Sequence, residues 1–94
     1  MVRLKDGRDV DLELFKFDTC PFCVRVLAKL RQLGVEGVRL RDTRREPGAA
    51  EELVERGGKL QVPCLFVDGE PMYESQDISE WLEANVATTA GESA

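Results

Sequence analysis

The chain has 94 residues, 13 basic and 18 acidic side chains, a net charge of −5, three cysteines and no histidine. This length allows one small domain, and an acidic chain with scattered basic residues argues against nucleic-acid binding. The lack of histidine excludes Ser–His, Cys–His and His–metal sites, so any chemistry must use thiols or carboxylates.

The first predicted elements are a short hairpin or lead-in and a strand. Val2 and Leu4 alternate with charged residues, and Asp6-Gly7 is a typical turn dipeptide. Apolar and charged residues alternate again over residues 10–14. At the end of Leu12–Phe17 the apolar residues occupy both faces of the predicted strand. That pattern is typical of a central strand.

The first predicted helix covers residues 21–33. Pro21 suits the first helical turn, which places Cys20 at the N-cap, and Gly34 ends the pattern. The apolar residues recur at helical spacing: Phe22, Val26, Leu27, Leu30 and Leu33.

The second half of the chain alternates strands, turns and helices. The predicted order is a strand over 35–41, a helix opened by Pro47 and ended by Gly57-Gly58, a strand over Cys64–Val67, a turn at Asp68-Gly69, a strand at Met72-Tyr73 and a helix capped by Ser75. The order β-α-β-α-β-β-α implies an α/β fold with a four-stranded mixed sheet and helices on both faces.

Domain boundaries follow from composition. We expect residues 1–9 to be the lead-in or hairpin, residues 10–86 to be the compact domain, and residues 87–94 to be a flexible tail because they are small and polar. No apolar run is long enough to cross a membrane, and no apolar leader follows the N-terminus. We therefore expect a cytoplasmic protein without membrane partners.

The densest basic stretch is Arg39–Arg45. Acidic residues follow it at positions 46, 51, 52 and 55. A solvated face of mixed charge is the favoured interpretation, and an anion-binding patch is the alternative.

Cys20-Pro21-Phe22-Cys23 is the strongest chemical signal. It lies where a strand ends and a helix begins, so unpaired first-turn amides and the helix dipole favour a thiolate there. Cys23 lies one turn further on and can close a small disulfide ring. We expect Cys20 to be an exposed nucleophile and Cys23 to be a more buried resolving thiol.

Two other interpretations of the cysteines remain open. The pair could be half of a zinc site, but Cys64 is the only further cysteine and a closed site needs four ligands. It could also be purely structural. A lone Cys-X-X-Cys near a βαβ pattern favours redox chemistry. Cys64, within an apolar strand, is predicted to be a core residue.

These residues resemble the glutaredoxins of the thioredoxin superfamily over about residues 12–85. Four features in order carry the resemblance: the strand ending in Thr19–Cys23, Gln61-Val62-Pro63 before a strand, the Val67-Asp68-Gly69 hairpin, and Tyr73–Ile78 at the start of the last helix. The resemblance implies a thioredoxin-like fold of the glutaredoxin type, with a four-stranded mixed sheet flanked by three helices.

The resemblance also implies a glutathione site. Pro63 is expected to be a cis proline, and the Val62 backbone to pair with the cysteinyl part of glutathione. The start of the last helix, at Ser75 and Gln76, is expected to hold the γ-glutamyl carboxylate. Phe22 and Glu74 complete the expected glutathione-binding residues.

The chain departs from the usual glutaredoxin pattern at two places. Phe17 stands where a lysine is usual, and Lys16 lies one step earlier, on the other face of the strand. Tyr73-Glu74 replaces a Gly-Gly pair, and Glu74-Ser75 is similar to a pair in the N-terminal domain of glutathione transferases.

The resemblance implies a monomeric thiol–disulfide oxidoreductase that uses glutathione as co-substrate, acts on disulfides or glutathionylated proteins, and holds no metal. Three alternatives remain: a glutathione-dependent iron–sulfur cluster carrier or redox sensor, a free-standing domain like that of glutathione transferases, and a protein reduced by thioredoxin reductase. Mixing the oxidised protein with glutathione and with thioredoxin reductase separately, and measuring which one reduces it, would distinguish the glutathione-linked oxidoreductase from the protein reduced by that reductase.

Overall fold

The computed structural model describes residues 1–87, so most of the expected tail lies outside the described part of the chain. The strands are β1 Val2–Arg3, β2 Asp9–Val10, β3 Leu12–Lys16, β4 Arg39–Asp42, β5 Cys64–Val67 and β6 Glu70–Met72. The helices are α1 Pro21–Leu33, α2 Ala49–Gly57 and α3 Ser75–Asn85.

Four strands form the predicted mixed sheet in the order β4-β3-β5-β6. β3 runs parallel to β4, with Leu14 opposite Leu40, and antiparallel to β5, with Phe15 opposite Cys64. A parallel pair needs a crossover connection, and α1 supplies it. This arrangement confirms the predicted thioredoxin-like fold.

The alternation of side chains along the central strands places a core on each face of the sheet. Leu12, Leu14 and Leu65 pack on one face with α1 and α3, through residues that include Val26 and Ile78. On the other face α2 contributes its own core, whose buried members are Phe15, Ala49, Leu53, Cys64 and Phe66. The Phe15 and Phe66 rings meet edge to face with centroids 5.5 Å apart. The prediction that Cys64 is a core residue is confirmed.

The N-terminal segment forms an antiparallel hairpin that belongs to the first core. Val2 pairs with Val10, and both are buried with Leu4 among the side chains of α1 and α3. Leu4 also forms a bridge to Val86 at the end of α3. The hairpin therefore connects the two ends of the described chain.

A buried carboxylate organises the α2 face. The Glu13 side chain is 2% exposed and accepts hydrogen bonds from Arg41 and Arg56. Glu52 on α2 bridges the same two guanidinium groups, and Glu46 also contacts Arg41. A buried charge is tolerated only when it is paired, and here the partners of Glu13 come from other elements. The network therefore joins β3, β4 and α2.

Several predicted boundaries shift. The second helix begins at Ala49 after a left-handed Gly48 instead of at Pro47, and β4 covers 39–42 instead of 35–41. β6 ends at Met72, so Tyr73 lies beyond the strand. Tyr73 instead donates a hydrogen bond from its hydroxyl to the Lys59 carbonyl oxygen at 3.2 Å.

Helix lengths also bear on membrane insertion. Within residues 1–87, the apolar helical stretches are all too short to cross a bilayer.

Candidate active site at the start of helix α1

Cys20 caps α1. Its backbone is extended, with φ −79° and ψ 117°, and Pro21 occupies the first turn. The Sγ atom of Cys20 accepts a hydrogen bond from the Cys23 backbone N–H at 3.3 Å. The sulfur therefore takes the place of the serine or aspartate oxygen that usually caps a helix. Since this position also carries the positive end of the helix dipole, it stabilises negative charge on sulfur.

The prediction that Cys20 is exposed is wrong for the reduced protein. Its relative exposure is 6%, against 0% for Cys23. The cap hydrogen bond turns the Cys20 sulfur inward over the first helical turn, which removes most of it from solvent. The predicted order of burial holds, because Cys23 is more buried than Cys20.

Burial sets the ionisation of the second thiol. It raises the pKa of Cys23 to about 12, and the neighbouring Cys20 sulfur adds to the increase. Lys16 acts in the opposite direction as a nearby positive charge. Cys23 is therefore a neutral thiol near pH 7, and its nucleophilicity depends on losing that proton when it is needed.

An open cleft of about 390 Å³, here called the Ser75 cleft, lies beside the start of α1. The structure brings all six predicted glutathione-binding residues to its wall, together with two residues that were not predicted. The lining residues are Phe22, Arg25, Gln61, Val62, Pro63, Glu74, Ser75 and Gln76. What this cleft binds remains a prediction.

The start of α3 differs from its prediction. Ser75 is the first helical residue, and Glu74 takes the cap position with φ 73° and ψ 114°. The Glu74 side chain makes no capping hydrogen bond, and its carboxylate accepts one from Gln61 Nε2 at 3.3 Å. Among residues 1–87, no side chain caps the first-turn amides of α3, so these amides can bind an external acceptor.

The segment before β5 offers main-chain groups to the same cleft. The Val62–Pro63 peptide bond is cis, as the resemblance implied. Val62 lies outside β5, and within residues 1–87 its backbone N–H and C=O make no backbone hydrogen bond. An extended peptide can pair with such groups.

A second cleft, here called the Arg44 cleft, has a volume of about 330 Å³ and shares Val62 with the first. Its lining residues are Phe17, Thr43, Arg44, Ala50, Leu60 and Val62. Leu60 is 64% exposed. The two clefts therefore meet at Val62.

Each cleft contains an arginine that the sequence analysis did not place in the site. Arg25 lies over Phe22, with 5.9 Å from its guanidinium carbon to the ring centroid. Arg44 lies over Phe17 at 3.8 Å. Arg25 follows Phe22 by three residues on one helix, so helical spacing could have indicated this contact. No local pattern connects Arg44 to Phe17.

The alternative interpretations of the cysteines can be compared with this geometry. Within the described range 1–87, no three or more cysteine, aspartate or glutamate side chains converge on a point where a metal ion could sit. Burial raises the pKa of Cys64, which lies in the core on the α2 face. Cys64 therefore belongs to packing on the far side of the sheet.

The mixed four-stranded sheet, three helices, Cys-X-X-Cys at the start of α1 and cis proline before β5 define a thioredoxin-like protein. The glutaredoxin family model matches residues 12–72. Glutaredoxin 3 of Escherichia coli strain K12 is 30% identical over 70 residues, which cover 72% of this chain and 81% of that protein. This chain belongs to the glutaredoxin family.

Solved structures show the same fold. Glutaredoxin from Brucella melitensis is 26% identical with a TM-score of 0.61, and the match covers 82% of this chain and 83% of that one. Glutathione transferase Omega 3C from Trametes versicolor is 23% identical with a TM-score of 0.66, over 81% of this chain. This chain spans 34% of that transferase, so the likeness concerns the fold of one part of it.

Proposed function

We propose that this protein is a glutathione-linked thiol–disulfide oxidoreductase in which Cys20 is the nucleophile and Cys23 the resolving thiol. Membership of the glutaredoxin family supports this activity in general terms. The observation that carries the assignment of roles is the cap geometry, in which Cys20 Sγ faces the amides of the first turn of α1.

The first step is attack by the Cys20 thiolate on a glutathionylated thiol. Its electron pair forms a bond to the glutathione sulfur, the substrate's disulfide bond breaks, and the substrate leaves as a thiolate that takes up a proton. The product on the enzyme is a Cys20–glutathione disulfide. The helix terminus stabilises the attacking charge before the step and the thiolate when it is regenerated.

The second step releases glutathione. A second glutathione thiolate attacks the glutathione sulfur of the mixed disulfide, so that oxidised glutathione leaves and Cys20 returns to its thiolate. For a protein disulfide, the Cys20 thiolate first forms a bond to one substrate sulfur, the substrate's disulfide bond breaks, and the other sulfur leaves as a thiolate that takes up a proton. Cys23 then loses a proton and attacks Cys20, which releases the reduced substrate and forms the Cys20–Cys23 disulfide. The raised pKa of Cys23 keeps it protonated until that step.

The Ser75 cleft supports glutathione as the co-substrate. Its uncapped α3 amides suit a carboxylate, and the free backbone groups of Val62 suit the cysteinyl residue of an extended peptide. The α3 amides and the Val62 backbone line the same cleft. Phe22, two residues beyond Cys20, also lines it.

The test is reduction of a glutathionylated peptide, coupled to glutathione reductase and NADPH. We expect Cys20→Ser to lower kcat by at least about 1000-fold, because the nucleophile is lost. Cys64→Ser is the matched control, since that thiol lies on the other face of the sheet. Full activity in Cys20→Ser, or reduction of the oxidised protein by thioredoxin reductase and not by glutathione, would refute the proposal.

A further inference from the structure

Lys16, at the end of β3, keeps most of its side chain out of solvent. The side chain is 12% exposed, although lysine is rarely buried unless it is paired. Side chains alternate along a strand, so Lys16 lies on the same face as Leu14, which packs in the core with α1. Phe17, one step further, lines the Arg44 cleft on the α2 face. The positive charge at the end of β3 therefore lies on the face covered by the helix that carries Cys20 and Cys23.

Two carboxylates hold the Lys16 ammonium group. Asp18 lies 2.7 Å from its Nζ, and Asp42, the residue opposite Lys16 on β4, lies at 3.4 Å. The Asp42 side chain is 13% exposed and also accepts hydrogen bonds from the backbone N–H groups of Arg44 and Arg45. The hydrogen bonds to Asp18 and to Asp42 raise the pKa of Lys16. Its ammonium group therefore stays charged at the pH of thiol–disulfide exchange.

The end of β3 meets the start of α1 beside the two cysteines. The Cys20 backbone N–H donates a hydrogen bond to the Phe17 carbonyl oxygen at 3.3 Å, which joins strand and helix at this point. Cys23 has no exposed surface, and burial raises its pKa to about 12. The Phe17 backbone and the Lys16 ammonium group both act to lower that pKa. Two consecutive residues of β3 and its end thus favour a thiolate at Cys23.

The other charged groups around Cys23 do not offset its burial. The Cys20 sulfur, on the same helix, raises the pKa of Cys23. Lys29 lies six residues further along α1 and pairs with Glu83 of α3 at 3.5 Å. Lys16 is therefore the cation placed to balance a negative charge on the Cys23 sulfur.

We propose that Lys16 activates Cys23 for the resolving step, because its ammonium group stabilises the negative charge that forms on this buried sulfur. The proposal rests on the proposed function, which gives Cys23 the resolving role. In that step Cys23 gives its proton to water, and its thiolate forms a bond to the Cys20 sulfur. The bond between Cys20 and the substrate sulfur breaks, and the substrate leaves as a thiolate that takes up a proton. Lys16 keeps its own proton throughout, so it acts through Cys23 and not as a base.

The test is a stopped-flow reaction of the reduced protein with one equivalent of dithiobis(nitrobenzoate), an aromatic disulfide whose thiolate product is coloured. Cys20 attacks first and releases one aryl thiolate, at a rate that depends on the reagent concentration. Cys23 then attacks Cys20 and releases the second aryl thiolate in a first-order phase. The two phases therefore report the two cysteines separately, without glutathione.

In Lys16→Met, we expect the second phase to slow at least about threefold between pH 7 and 9, with the first phase within about twofold of the wild-type rate. A rise of about one unit in the pKa of Cys23 lowers its thiolate fraction tenfold, and the greater nucleophilicity of a more basic thiolate recovers about threefold of that loss. The pH profile should keep its slope and move downward. Loosened packing would have the opposite effect, because water at Cys23 would lower its pKa toward 9.0 and speed the second phase.

Three further variants separate charge from packing. Lys29→Met is the matched control, because it removes the same charge from the ion pair between α1 and α3, and both phases should stay within about twofold. Lys16→Arg keeps the charge and is expected to restore most of the second-phase rate. Should Lys16→Met fail to fold because Asp42 loses its partner, Lys16→Met/Asp42→Asn removes both charges together and should show the same slow second phase. A melting temperature for each variant identifies any loss of folding.

The outcomes are distinct. If the wild-type protein releases only one aryl thiolate, the resolving role of Cys23 fails and the role of Lys16 fails with it. A slow second phase in Lys16→Met supports the role of Lys16 even if the protein does not turn over a glutathionylated peptide, in which case only the link to glutathione fails. An unchanged or faster second phase in Lys16→Met refutes the role of Lys16. So does an equally slow second phase in Lys29→Met or in Lys16→Arg.

Discussion

The backbone amide of Cys23 donates a hydrogen bond to the sulfur of Cys20. This bond links the two cysteines to which the proposed mechanism gives different roles. One sulfur caps the helix and accepts the bond. The other, buried one turn further along, contributes its amide to the bond and keeps its own proton. Because the donor is main chain, substitution of the Cys23 side chain leaves the cap in place.

Cys23→Ser is therefore expected to separate two activities. Reduction of a glutathionylated peptide should stay within about threefold of the wild-type rate, because a second glutathione can release the product. Reduction of a stable protein disulfide should fall at least about 100-fold, because it requires the resolving thiol. Parallel assays on the two substrates, with Cys64→Ser as control, measure the difference. An equal loss on both substrates would contradict the assigned role.

The stability of the reduced protein is expected to fall in alkaline solution. The folded pKa of Cys23, about 12, lies above the ordinary value of 9.0. The stability gained by burying a neutral thiol is fully present below pH 9 and is lost as the pH rises toward 12. The loss reaches up to about 1.4 kcal/mol per pH unit for one group.

Urea unfolding at pH 7 to 10.5 under reducing conditions measures this loss. Cys23→Ser should give a flatter profile than the wild-type protein. Cys64 and Tyr73 also have raised pKa values, but both proteins retain them, so the comparison isolates Cys23. Parallel profiles would show that Cys23 does not titrate as described.

Glu74 holds a backbone conformation that favours glycine, with φ 73°. Such a conformation costs an L-residue about 1–3 kcal/mol. We expect Glu74→Gly to raise the free energy of unfolding by about 1 kcal/mol, after allowing for the greater chain entropy of glycine. Glu74→Ala keeps the strain and removes the carboxylate, so it should give no such increase. Equal stabilities of the two variants would contradict the strain argument.

The ion-pair network on α2 is expected to weaken in acid. Arg41 and then Arg56 lower the pKa of Glu52 from 4.5 to about 2. The stability from this carboxylate is present above pH 4.5 and is lost as the pH falls through about 2. Glu52→Gln should lower stability at pH 7 by about 1 kcal/mol, given the partial exposure of the network.

The acid limb of the stability profile provides the check. Glu52→Gln should show a smaller decrease between pH 5 and 2.5 than the wild-type protein does. Glu51→Gln is the matched control, since this exposed neighbour has no ion pair among residues 1–87. If Glu51→Gln and Glu52→Gln behave alike, the effect comes from net charge and not from the network.

Local sequence patterns determined most of the fold. The helical spacing of apolar residues located α1, and Pro21 and Gly34 marked its ends within one residue. Strand alternation at Leu12–Lys16 located the central strand, and the Cys-X-X-Cys spacing identified the two thiols that the proposed mechanism uses. These signals are local, because the spacing of side chains over a few helical turns or strand residues is enough to show them.

Tertiary structure decided the features that depend on residues distant in sequence. It placed Arg44 over Phe17, paired the other arginines of the 39–45 segment with carboxylates, and set Glu74 in a left-handed conformation at the start of α3. It also buried Cys20, which the motif predicted to be exposed. Periodicity and motif spacing fix which residues form an element. The charge and solvent exposure of a side chain depend on which elements pack against it, and packing is decided by the whole core.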